Sequence, residues 1–198
     1  MPGRWTGGLS PAGPIPTPPT SHCLTYTQKP HKATILHVDG DPNDILLLHR
    51  AFELEQVSHP LQSVGDGEVA IAYLAGEGYL ADRQKYPLPG LVLLELNVPK
   101  VSGLHVLAWV RTHRALKALP VAILTSEYRA EDVALAYHLG VNAFIAKPST
   151  YDELREVVRF LKGWVQHTIP PPTDEQAWIA LKTDGLEERW PQLRSQAA

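Results

Sequence analysis

The sequence predicts an α/β protein, a doubly wound parallel sheet of five strands with a helix after each strand. Two observations carry this. Between Ala33 and His167, short β-prone runs alternate five times with segments whose apolar residues recur at helical spacing. The run LVLLEL is apolar but for Glu95, as expected of a parallel strand covered on both faces. Short connections between such units imply right-handed crossovers, which place helices on both sides of the sheet.

ATILHV reads as the first strand. In the following DGDPNDILLLHRAFELEQ, Asp41 is placed to cap a helix, Pro42 suits its first position, and Asp44 lies three residues after the cap. Ile45, Leu48, Phe52 and Leu54 then recur at roughly helical spacing. PLQSV is the second strand, and GEVAIAYLAG a helix ending at Gly76. After LVLLEL come the helix GLHVLAWVRTH, the strand PVAILT, and the helix RAEDVALAYHLG closed by Gly140. NAFIAK is the fifth strand. The last helix, YDELREVVRFLKGWVQH, carries Leu154, Val157, Val158, Leu161 and Val165 on one face.

The flanks differ in texture. Proline and glycine are too dense in residues 1–32 for a helix or a sheet ladder, so this part reads as a disordered tail. Residues 33–167 form the domain, and residues 168–198 an extension. There Thr173 and Gln176 stand at capping-box spacing before Trp178, Ile179 and Leu181, which predicts a short helix. The extension is too short for an output domain with its own core. Trp164, Trp178 and Trp190 make this end a candidate protein contact.

Composition narrows the function. A net charge of -3 opposes nucleic-acid binding by bulk electrostatics. No long apolar run points to a membrane span or a secretory leader. The single cysteine, Cys23, cannot form an internal disulfide and suits a reducing cytoplasm. None of the nine histidines stands in an HExxH or Cys-cluster pattern, so a zinc or iron centre is not expected.

Parallel sheets build their sites at the carboxyl ends of the strands. Here those positions hold Asp39, Gly40 and Asp41 after the first strand, Glu95 and Asn97 at the third, Thr125 and Ser126 after the fourth, and Lys147-Pro148 after the fifth. An acidic cluster, a carboxylate, a Thr and a Lys-Pro in that order resemble the receiver domain of response regulators. The resemblance implies the flavodoxin-like (βα)5 fold with strand order 2-1-3-4-5. The extended loop in GEGYLADRQKYPLPGLVLLELNVPKVSGL resembles that of stand-alone receivers which partner phytochrome-type histidine kinases.

In that family an aspartate at the Glu95 position accepts a phosphoryl group from a kinase phosphohistidine. Mg²⁺ is held by the acidic pair, the acceptor and a backbone carbonyl, here that of Asn97. The Thr hydroxyl and Lys ammonium bind the phosphoryl group, and an aromatic at the Phe144 position swings inward on activation. The resemblance further implies a cis peptide before Pro148 that aims Lys147 into the site.

The chain departs from this pattern twice. Glu95 replaces the aspartate and carries its carboxylate about 1.5 Å further out, where a misplacement near 1 Å costs on the order of a hundredfold in rate. Gly40 offers no carboxylate to a metal, which leaves no Mg²⁺ or weak binding at Asp39. Asp41 is better placed to cap a helix, and His37 to pack.

Three readings follow. The first is a pseudo-receiver, a cytoplasmic interaction module without enzymatic turnover. It would bind a histidine kinase, another signalling protein or a second copy of itself through the fourth helix, fifth strand and fifth helix. In it Glu95 either stands in for a phosphorylated aspartate or makes an inert contact with Lys147. The second is a working phosphoacceptor that uses Glu95 or another carboxylate such as Asp41. The third, a flavodoxin-like enzyme, is opposed by the absence of GxGxxG and GxxxxGK[ST] loops.

Overall fold

The structure is a computed structural model and describes residues 33–168. The tail of residues 1–32 and nearly all of the extension, including its expected helix and the tryptophans at 178 and 190, lie outside the described residues.

Five strands and five helices alternate along the chain: β1 (Thr34–Val38), α1 (Pro42–Leu54), β2 (Leu61–Val64), α2 (Gly67–Ala75), β3 (Pro89–Leu94), α3 (Gly103–Thr112), β4 (Val121–Thr125), α4 (Ala130–His138), β5 (Ala143–Ala146) and α5 (Tyr151–His167). The strands form one parallel sheet in the order β2-β1-β3-β4-β5. This is the flavodoxin-like architecture and the strand order expected.

Because strand side chains alternate in direction, the sheet feeds two cores. Leu36, Val38, Val92, Leu94, Val121 and Ile123 point to one face and pack under α2, α3 and α4. Ile35, Leu91, Leu93, Ala122 and Leu124 point to the other and meet α1 and α5. On α5, Leu154, Val157, Val158, Leu161 and Val165 all lie on that second core, as their spacing requires. On α1, Leu48, Ala51 and Phe52 are buried, whereas Leu54 is 55% exposed because the helical turn carries it about 120° away from Leu48, off that stripe.

Helix ends follow local chemistry. Asp41 caps α1 by accepting the N–H of Asn43 at 2.8 Å. Thr150 and Glu153 close a reciprocal capping box on α5. The long α2–β3 connection contains a short 3-10 turn, Gly78–Ala81, that the sequence pattern does not announce. Arg83 fixes this connection by donating to the carbonyls of Tyr73 at 2.7 Å and Leu74 at 2.9 Å in the last turn of α2.

Register converts this fold into a site. Val38 lies opposite Leu94, and Thr125 opposite Ala146. The ladder then continues one residue past the strands, with Glu95 N–H donating to Val38 O at 2.9 Å and Lys147 N–H to Thr125 O at 2.7 Å. Asp39, Glu95, Thr125 and Lys147 therefore emerge side by side at the carboxyl edge.

Candidate acidic site at the strand ends

Lys147 is the centre of the cluster. Its Nζ lies 2.6 Å from Asp39 Oδ2, 2.7 Å from Asp44 Oδ2 and 3.0 Å from Glu95 Oε2. An ammonium has three N–H donors, and three carboxylates meet them. Asp39 and Glu95 are buried, and Asp44 is partly exposed at the first turn of α1.

Glu95 is held at both carboxylate oxygens. Oε2 faces Lys147, while Oε1 accepts the Thr125 hydroxyl and, at 3.1 Å, the backbone N–H of Asn97. The same Thr125 oxygen lies 3.2 Å from the Glu127 carbonyl. The extra methylene of Glu95 thus reaches the two groups that the resemblance assigns to phosphoryl binding.

Asp39 is held as firmly. Oδ1 accepts the Asp41 N–H at 2.9 Å, and Oδ2 lies 3.4 Å from Nε2 of buried His37. Burial opposes its charge, but these donors and Lys147 outweigh burial and hold its pKa at about 2. Burial likewise opposes the Lys147 ammonium, and Asp39, Asp44 and Glu95 more than compensate, raising its pKa above the ordinary lysine value. His37 approaches Ser63 at 3.5 Å, and Ser63 bonds His49 of α1 at 2.8 Å.

The structure brings Asp39, Glu95, Thr125 and Lys147 together and leaves other expected residues aside. The Asp41 side chain is spent on its cap, and Ser126 is exposed. Asn97 contributes its backbone N–H while its side chain faces solvent. Phe144 is half-buried, edge-on to Tyr128 at 5.4 Å and packed on the first core. The expected cis peptide is corrected: the Lys147-Pro148 bond is trans. Lys147 is aimed by the extended β4–β5 ladder and by its three carboxylates.

Gly40 matters for space as well as charge. A Cβ there would lie 2.7 Å from Cδ of Pro99, in the loop after β3. Sequence reasoning missed Asp44 as a member of the cluster. Its place one turn into a helix that starts at the strand ends was the available signal. Beside it, a cavity of about 170 Å³ opens between α1 and the β5–α5 loop, lined in part by Asp44, Leu47, Lys147, Pro148 and Tyr151.

The response regulator receiver domain family matches residues 35–159. The chain belongs to this family. It is 31% identical to Response regulator Rcp1 of Synechocystis sp. over 138 residues, 70% of this chain and 92% of that protein. Among solved structures, the phosphorylated cyanobacterial phytochrome response regulator RcpA shares 33% identity at a TM-score of 0.65, covering 70% of this chain and 99% of that one. The Mn²⁺-bound form of Rcp1 matches at a TM-score of 0.63 with 31% identity, over 71% of this chain and 99% of that one. The receiver domain is thus similar to stand-alone phytochrome-associated regulators. Among its described residues, no helix is long and apolar enough to cross a membrane.

Proposed function

We propose that this receiver domain is a pseudo-receiver, a cytoplasmic two-component signalling module that works by protein contact without being phosphorylated. One observation carries the reading: Glu95 already occupies Thr125 and Lys147, the groups a phosphoryl ligand would need. A carboxylate brings one charge and two oxygens where a phosphoryl group brings nearly two charges and three oxygens, so the mimicry is partial. No turnover is assigned to the site.

The donor set suits a divalent cation poorly. Mg²⁺ requires near-octahedral oxygen geometry with one or two carboxylates and several waters. Gly40 supplies no carboxylate, and Asp39 directs Oδ1 to a backbone N–H and Oδ2 to Lys147. Binding is therefore absent or weak, with Asp39 the residue that would take part. The surface we assign to partners is α4–β5–α5, where Tyr128, Leu135, Tyr137 and Phe160 are exposed. A phytochrome-type histidine kinase or a second copy of the chain fits the family. The flanks at 1–32 and 168–198 are read as a tail and an accessory segment.

The test is intact-mass measurement after incubation with Mg²⁺ and a small phosphodonor, beside Glu95→Asp alone and with Gly40→Asp. The natural protein should gain no mass and the double variant one phosphoryl group, with Glu95→Asp alone falling short of it. The double variant also asks whether the Pro99 ring can yield to a side chain at position 40. Phosphorylation of the natural protein would sink the proposal in favour of a working acceptor, the reading that the phosphorylated relative RcpA recommends.

A further inference from the structure

Asp44 is the carboxylate of the cluster that comes from a helix. It sits in the first turn of α1, three residues after the Asp41 cap, and the cap fixes where that turn begins. The strands supply Asp39, Glu95 and Lys147, so Asp44 is the partner whose place depends on how α1 is set against the sheet. Its side chain is 38% exposed against 3% for Asp39 and 7% for Glu95, and it borders the cavity between α1 and the β5–α5 loop.

Geometry gives Asp44 leverage over the lysine. Its contact with Lys147, at 2.7 Å, is shorter than the 3.0 Å contact between Lys147 and Glu95. All three ammonium N–H groups are taken, so a stronger hold by Asp44 leaves less for Glu95, and loss of Asp44 frees a donor. A Cβ at position 40 meets Pro99, so a second acidic residue beside Asp39 cannot enter from β1 without moving that loop.

We propose that Asp44 is a positioning residue of this pocket. It rebuilds from α1 the acidic pair that Gly40 interrupts, directs that pair to an internal ammonium, and thereby sets how Lys147 divides between α1 and Glu95. The inference rests on the reading that the Glu95–Lys147 pair is the working state of the pocket. It makes Asp44 the link between the α1 surface and the strand-end site.

The experiment is site-resolved acylation of lysines at neutral pH, read by peptide mass spectrometry on the full chain, with exposed Lys85 as internal reference. Only the uncharged amine reacts, and each pKa unit lost raises its population tenfold. Half-exposure of Asp44 softens its effect on the lysine. Asp44→Asn should speed Lys147 labelling about fivefold relative to Lys85. Asp44→Glu, which keeps the charge, should stay within about twofold of the natural protein. Circular dichroism confirms that α1 is retained. Glu95→Gln is measured alongside to separate the two ideas. If Glu95→Gln accelerates labelling and Asp44→Asn does not, the role of Asp44 is overturned while the Glu95 reading stands. The reverse result keeps Asp44 and removes Glu95 as a working partner, and no change in either overturns both. Equal acceleration in Asp44→Asn and Asp44→Glu also refutes the proposal, because charge at this position would then not matter.

Discussion

Replacing Lys147 with Met keeps much of the side chain's bulk and removes its charge. What remains is Asp39, 2% exposed, and Glu95, 6% exposed, with the cation between them gone. Water cannot make up the loss at such burial, and leaving a buried charge unpaired costs about 3–5 kcal/mol. For a domain of this size that lowers the melting temperature by roughly 10 °C or more. The loss should depend on pH. In the natural protein Asp39 stays charged down to about pH 2, because burial is outweighed by His37, Lys147 and the Asp41 N–H. Without the lysine, protonating Asp39 removes the unpaired charge, so the variant recovers as pH falls while the natural protein gains nothing. Urea unfolding at pH 7 and at pH 3.5 reads both values. The gap should narrow to about half at the lower pH. A gap below about 1 kcal/mol at pH 7, or one that does not change with pH, would refute the view that Lys147 compensates these buried carboxylates.

Three further outcomes follow from the structure. The natural protein should lose about 2 kcal/mol of stability as pH falls from about 4 to about 2. The folded pKa of Asp39 is depressed to about 2 from 3.8, so its contribution is complete above the unfolded value and is lost on the way down; Asp39→Asn should flatten that limb in acid titrations followed by circular dichroism. Gly103→Ala should cost about 3 kcal/mol or more, because its Cβ would lie 2.3 Å from the Glu95 carbonyl oxygen at the base of the site. Gly163→Ala, in the interior of α5 with nothing within 4 Å of its Cβ, should instead stabilise by about 0.5–1 kcal/mol in the same urea assay.

The order of elements was legible because each one is written in a few consecutive residues. LVLLEL can be a strand buried on both faces, and the α5 pattern can face only one core. Asp41 and Pro42 mark the start of α1 for the same local reason. What could not be read locally crosses long stretches of chain. The contact between Asp44 and Lys147 spans 103 residues and exists only once β1, β3, β4 and β5 are in register. The crowding of position 40 by Pro99 has the same origin, since the loop after β3 returns over the end of β1. The sequence predicts that His37 packs. It is buried, yet its ring edge also touches Asp39, because alternation along β1 places the residues at 37 and 39 on the same side.

The two departures from the family pattern act on the same electrostatic balance. Around Lys147 stand three carboxylates, those of Asp39, Asp44 and Glu95. An aspartate at position 40 would add a fourth beside them. One ammonium cannot offset four neighbouring carboxylates in a half-buried pocket, and the excess would call for an external cation. Glycine at 40 lowers that demand, and Pro99 fills the space the side chain would have used. Glutamate at 95 contributes in the other direction, since its longer arm reaches Lys147 and Thr125 directly and needs nothing to bridge the gap. Restoring only one of the two positions should therefore leave a pocket out of balance. Gly40→Asp alone adds charge without an acceptor of family length, and Glu95→Asp alone shortens the arm while Lys147 keeps Asp39 and Asp44. On the proposed pseudo-receiver reading, the two departures amount to one change, from a site completed by an added cation to one held together by its own lysine.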